Sequence, residues 1–300
     1  FDPVTQAIPV PDVMQGIVAV LDLLGTRGAP VVINPPVYPQ FYKYLQWGAR
    51  PIIEVPQTAE GRLDLSALER AFAGESGPKP EAFLLCNPQN PQGTVPTRAE
   101  LTTIVRLAAE HGVRIISDEI HAPLVSAPAV HTPILAVEGV QDAVLITSAS
   151  KAWNLAGLKS AVAIASPEIG QRLLTMPHEV THSISYLGAV THIAALKEGQ
   201  DWLDQALREI EDNRRLLSRL LAEHLPQVRF LPGESTYLAW LDCRQLQLDD
   251  PGRTFLTRGK VALNNGPTFG TGGAGHVRMN LATSPDIITE AVRRMAASLD

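Results

Sequence analysis

The chain has 300 residues, enough for about two domains at roughly 150 residues each. It is 45% hydrophobic, 19% charged and 5% aromatic with a net charge of −6, which excludes disordered, collagen-like and mini-protein classes and lacks the basic surplus of a nucleic-acid binder. No uncharged apolar run reaches the ~18 residues of a membrane span, and two cysteines, Cys86 and Cys243, suit a reducing compartment, so a cytoplasmic protein with no nucleic-acid or membrane partner is expected.

The sequence opens on Phe1 with no basic region or apolar core of a signal peptide, and reads like the middle of a longer chain. Apolar runs then alternate with helix-period segments: a helix over 12–24, a strand over 31–34, a helix over 39–48, a strand over 52–55, a helix over 65–73 and a strand over 82–86. A helix over 98–111 follows, with Thr97 and Glu100 spaced as a capping box, then strands over 113–117, 143–147 and 160–165. Nearly continuous hydrophobic strands between helices predict βαβ units around a mainly parallel sheet. After Ser166 come helices over 184–197 and 202–224, strands over 228–230, 237–241, 261–263 and 277–281, and a closing helix from Ser284 and Pro285 to about Leu299. The Gly- and Asn-rich stretch 264–275 is expected to be a loop. The organisation implied is an α/β domain over 1–197 and a smaller α+β domain over 198–300.

Three strand ends carry chemistry. In open α/β sheets ligands sit at the carboxyl ends of the strands. The run Ile146-Thr147-Ser148-Ala149-Ser150-Lys151 leaves a lysine at such an end, where apolar walls would lower its pKa and favour a Schiff base; it could equally close a surface turn. The strand over 113–117 runs into Asp118-Glu119-Ile120-His121, a carboxylate suited to a cationic ring nitrogen or, in the simpler reading, to a helix cap. The strand over 82–86 runs into Asn87-Pro88-Gln89-Asn90-Pro91-Gln92-Gly93, whose Asn-Pro pairs either aim amides at one point or only shape the turn.

Together with Ser-Ala-Ser-Lys-Ala-Trp-Asn-Leu-Ala-Gly-Leu-Lys over 148–159, these strings make the chain resemble, over essentially its whole length, the fold-type-I pyridoxal-phosphate (PLP) enzymes of aminotransferase class I/II. Within them it is most similar to the MalY/PatB subgroup of cystathionine β-lyases and cysteine-S-conjugate β-lyases. The resemblance implies that Lys151 carries the cofactor covalently and moves the substrate Cα proton, that Asp118 pairs with the protonated ring nitrogen, and that Asn90 bonds the ring's 3′-oxygen. It sets His121 where plain aminotransferases usually place a Tyr, Tyr38 as the aromatic stacked on the ring, and Arg278 as the clamp on the substrate α-carboxylate. Lys151, Tyr38 and Asp118 are thereby the catalytic set.

For the phosphate the resemblance implies Ser148 foremost, then Ser150 and Lys159, with backbone N–H groups of Val13 and Met14 at a helix start. Asp12 sits beside them and is expected to cap that helix with its side chain turned away. The resemblance also implies an N-terminal segment ahead of Phe1 that helps cover the site, and a homodimer sharing its active sites is expected. The activity implied is β-elimination from an amino-acid substrate, L-cystathionine or a related conjugate; alternatives are an aminotransferase on the same scaffold or a regulatory protein keeping the fold. Cys86 reads as a small buried hydrophobe, and His178, His182 and His192 do not fall into a metal-binding spacing.

Overall fold

The computed structural model describes residues 1–75 and 77–299. Seven strands, β1 (Ala7–Val10), β2 (Val31–Ile33), β3 (Ile52–Glu54), β4 (Ala82–Cys86), β5 (Arg114–Asp118), β6 (Ala143–Thr147) and β7 (Ala161–Ala165), form one sheet in the order β1-β7-β6-β5-β4-β2-β3. The pairs among β3, β2, β4, β5 and β6 are parallel; β7 is antiparallel to β6 and β1 to β7.

The continuous apolar runs are explained by burial on both faces. Successive residues of a strand point to opposite sides. In β4, Ala82, Leu84 and Cys86 join one core with the helix Val13–Leu24, while Phe83 and Leu85 join the other with the helices Leu65–Ala73 and Arg98–His111. That last helix begins with the expected capping box, Thr97 accepting from the Glu100 N–H and the Glu100 carboxylate accepting from the Thr97 N–H. β1 lies outside the predicted strands. It is four residues long and contains Pro9, which cannot donate to a ladder and is tolerated at the sheet edge, where β1 lies.

A second, antiparallel sheet comprises β8 (Arg229–Phe230), β9 (Leu238–Asp242), β10 (Asn264–Asn265) and β11 (His276–Asn280) in the order β10-β11-β9-β8. The helices Gln200–His224 and Pro285–Ala297 pack on it through Leu217, Leu221, Ile288, Val292 and Met295. Two expectations are corrected here. The stretch 261–263 is not a strand, and the 264–275 stretch is not simply a loop: Asn264 and Asn265 pair with Arg278 and Val277 of β11, followed by a 3-10 turn over Gly266–Phe269. The register is set by this cross-strand pairing and not by the hydrophobicity of Val261 and Leu263. Helices Pro167–Leu173 and His178–Thr181 also lie outside the predicted elements; each is too short for a clear helical period.

The two sheets meet at the Asn-Pro turn after β4. Gly93, at φ +76°, lies where a Cβ would come within 2.7 Å of the Ser235 carbonyl, and its own carbonyl accepts from the Glu234 N–H and the Ser235 hydroxyl. Among the described residues no helix is long and apolar enough to cross a membrane, and no cluster of three or more His, Cys, Asp or Glu could hold a metal.

Candidate active site

The carboxyl ends of β2, β4, β5 and β6 open on one cavity of about 570 Å³, closed on its far side by β9–β11. Cys86, Asp118 and Ile146 lie abreast in the parallel register, so the Asn-Pro turn, the Asp-Glu-Ile-His segment and the Ser-Ala-Ser-Lys turn leave the sheet side by side. The sheet thus gathers residues far apart in the chain at one edge.

Asp118 forms the floor. It is buried and accepts one hydrogen bond, from the Ile120 N–H at 3.1 Å. Burial pushes its carboxyl up to about 7, against the opposing pull of that N–H and of Lys151. A carboxylate so placed has lone pairs to offer a cationic N–H in the cavity. Lys151 faces it from the turn after β6, its ammonium pKa lowered by burial and by Arg278 and Lys159, though Asp118 works the other way. His121 is buried with its Nδ1 unpartnered and its ring edge-on to Tyr237 at 6.2 Å; burial and the charges of Lys151 and Arg278 hold its pKa down to about 3, so the imidazole is neutral.

Asn90 and Arg278 bridge the two sheets. The Arg278 Nη1 donates to Asn90 Oδ1 at 2.8 Å, which leaves the Asn90 amide N–H groups for the cavity, and Nη2 donates to Asn264 Oδ1 at 2.8 Å. The guanidinium carbon stands 5.0 Å from the centroid of the Phe269 ring, and Nε is buried without a partner. Tyr38, leaving β2, lines the cavity with its ring edge against Phe41, and its hydroxyl pKa is raised by burial and by Asp118.

Val13, Met14, Ser150 and Lys159 also line the cavity. Val13 and Met14 occupy the first turn of their helix, where backbone N–H groups have no helical acceptor. Two expectations change here. Ser148 does not line the cavity: its hydroxyl donates its one proton to the Ser160 carbonyl at 2.7 Å and accepts from the Ser150 N–H at 3.1 Å, bonds that shape the turn. Asp12 does cap the helix, accepting the Gln15 N–H at 2.8 Å, but it is not turned away; its second oxygen accepts from Lys159 Nζ at 2.9 Å on the cavity wall.

Tyr237, Asn264 and Asn280 also line the cavity and were not singled out from the sequence. Tyr237 precedes β9 and Asn264 precedes the Gly-rich turn; neither stands in a motif, and only the pairing of β9, β10 and β11 aims them inward. Asn87, by contrast, is turned away, donating to the Thr132 carbonyl at 3.1 Å. Cys86 is buried at the cavity wall, and burial raises its thiol pKa.

Chemically, the cavity offers the donors of a helix start and of Lys159, a buried carboxylate with a single hydrogen-bond donor, an amine of lowered pKa facing it, and a guanidinium with donors to spare. Its fold and sequence have known counterparts. A protein of Mycobacterium tuberculosis named "Putative cystathionine beta-lyase" is 48% identical over 320 residues, covering 99% of this chain and 78% of the relative. Cystathionine beta-lyase of Corynebacterium glutamicum is 33% identical over 97% of this chain and 77% of the relative. The crystal structure of cystalysin from Treponema denticola, which contains a pyridoxal 5′-phosphate cofactor, matches with a TM-score of 0.91 at 26% identity, over 98% of this chain and 76% of that one. The model for aminotransferase class I and II matches residues 1–295, and the chain belongs to that family.

Proposed function

We propose that this chain is a pyridoxal 5′-phosphate-dependent carbon–sulfur β-lyase acting on L-cystathionine or a related cysteine S-conjugate. The convergence of Lys151, Asp118, Asn90 and Arg278 on one cavity carries this reading. The cystathionine beta-lyase names of the relatives favour the lyase among the reactions the family performs.

The residues fit the cofactor. The buried Asp118 carboxylate needs a cationic N–H, the Asn90 amide and the unpartnered His121 suit a ring oxygen, and the helix start at Val13 and Met14, with Ser150 and Lys159, suits a phosphate. When bound, the cofactor supplies an aldehyde that condenses with amines and a protonated ring that accepts electrons. Lys151 is the amine that would hold it, and as a free amine it would take the substrate Cα proton; its lowered pKa leaves more of it neutral for that task. Asp118 would keep the ring nitrogen protonated. Tyr38, an aromatic wall of the cavity, would support the ring. Arg278, anchored by Asn90 and Asn264, holds the substrate carboxylate so that the Cα–H bond faces Lys151. Loss of the β-thiolate then takes up the electrons left at Cα, and water completes the balance: L-cystathionine and water give homocysteine, pyruvate and ammonia.

A cytoplasmic homodimer is part of the same proposal. Trp47 lines the cavity yet is 74% exposed, an apolar surface that a second subunit would cover.

The test is incubation with L-cystathionine and no oxo acid. Continuous release of pyruvate, ammonia and homocysteine is expected. A requirement for 2-oxoglutarate or pyruvate as co-substrate would replace the lyase by an aminotransferase. Cofactor binding with neither reaction would point to a regulatory protein.

A further inference from the structure

We propose that Asp12 is a resident counter-anion of the phosphate subsite: it holds the Lys159 ammonium at the helix start and thereby limits how tightly the cofactor's phosphate is bound. The inference rests on the reading of this cavity as a pyridoxal-phosphate site.

The geometry leaves Asp12 little freedom. One carboxylate oxygen is committed to the Gln15 N–H at 2.8 Å, which turns the other toward Lys159 Nζ at 2.9 Å. Lys159 is equally constrained. Its backbone sits in the left-handed region at φ +48°, its carbonyl accepts the Ser185 N–H at 3.0 Å, and the next residue's carbonyl accepts the Ser148 hydroxyl. The ion pair therefore joins two fixed segments across the cavity wall, next to Val13 and Met14.

The consequence is electrostatic. A helix start and a lysine attract an anion, and in this chain a carboxylate already uses both. A phosphate monoester docking there shares the ammonium with Asp12 and stands beside its negative charge. Lys151 and Arg278 are the other cations lining the cavity, and Lys151 stands near enough to Lys159 to feel its charge. Because the Lys159 side chain is 57% exposed, water screens the repulsion, and the expected effect is modest, about three- to tenfold in affinity.

Neutral caps separate this role from that of a simple helix cap. Asp12→Asn and Asp12→Ser each keep a side-chain oxygen for the Gln15 N–H and remove the charge. The experiment titrates cofactor-stripped wild-type and variant protein with pyridoxal phosphate and, separately, with pyridoxal, which has the same ring and no phosphate. Both variants are expected to bind pyridoxal phosphate about three- to tenfold more tightly at low salt, to converge with wild type at high salt, and to bind pyridoxal within about twofold of wild type. A second measurement adds Lys159→Met. Its loss of pyridoxal-phosphate affinity should be smaller in the wild-type background than in the Asp12→Asn background, because Asp12 already occupies part of the ammonium that a phosphate would use. Unchanged or weaker binding of pyridoxal phosphate by the folded neutral-cap variants overturns the proposal, as does an equal gain for pyridoxal. If wild type binds neither compound, the cofactor reading itself fails, a result distinct from either.

Discussion

Asp118 and Glu119 are neighbours at the end of β5, both nearly fully buried, and they have opposite surroundings. Glu119 is satisfied: one oxygen accepts from the Ser117 hydroxyl at 2.8 Å and the Ile134 N–H at 2.8 Å, and the other meets His131 Nε2 at 2.9 Å. Asp118 has a single backbone donor and a pKa pushed up to about 7. The strand alternation explains the split. Asp118 lies abreast of Cys86 and Ile146 and looks into the cavity, whereas Glu119 shares its face with Ser117 and is closed over by the 131–134 segment. A buried carboxylate with partners contributes to the fold; one without them is held ready for a ligand.

The most severe way to break the comparison is to remove the group that Asp118 faces. Lys151→Ala should lower turnover by orders of magnitude, and borohydride reduction of the cofactor-loaded protein followed by peptide mapping should place the label on Lys151. A label on Lys159 or Lys43 would contradict the assignment.

Exchanging each carboxylate for its amide sharpens the contrast. Asp118→Asn should cost orders of magnitude in turnover while some cofactor is retained, since an unprotonated ring is a poor electron sink. Glu119→Gln should keep turnover within a few-fold and cost about 1–3 kcal/mol of stability, because the partners it leaves are buried. Denaturant unfolding and steady-state rates on both variants decide this; equal losses of activity would erase the distinction.

Stability as a function of pH is a third measure. In the folded chain Asp118 keeps its proton up to about 7, against 3.8 for an ordinary carboxyl. Between those values the folded state binds more protons than the unfolded one, so this group's contribution falls as pH rises. Cofactor-free Asp118→Asn should therefore gain on wild type from about pH 4 to about pH 7 and hold that gain above, by up to roughly 4 kcal/mol at about 1.4 kcal/mol per pH unit. A constant difference across that range would show that Asp118 ionises freely.

The smallest effects concern Arg278 and its anchor. Arg278→Lys should raise KM for the amino-acid substrate about ten- to a hundredfold, since an ammonium cannot reproduce the planar fork. Asn264→Ala removes one of the two anchors of Arg278 and should raise KM about three- to tenfold with little change in kcat. An unchanged KM in both would remove Arg278 from the substrate site.

Legibility of the site followed the distance over which each residue is positioned. Asp118 ends a buried strand and Lys151 and Asn90 stand in the short turns after two others; a strand end in a parallel sheet has a known place, so local pattern reached them. Ser148 stands in the same motif, yet which neighbour its hydroxyl bonds depends on the chain folding back at Ser160. Tyr237, Asn264 and Asn280 face the cavity only because the second sheet is laid across the first, an arrangement with no local pattern to announce it.

The amino-acid sequence by itself determined the strand and helix alternation of the first half, its capped helices and the strand ends where chemistry gathers. These depend on burial period and on side chains bonding their own backbone within a few residues. Tertiary structure alone decided the antiparallel edge at β1 and β7, the register of β10 on β11, the turning of Asp12 toward Lys159 and the full set of partners around Glu119 against the single donor at Asp118. For β1 on β7 and Asp12 on Lys159 the deciding partner lies far along the chain, and its energy enters only once the intervening segments have packed.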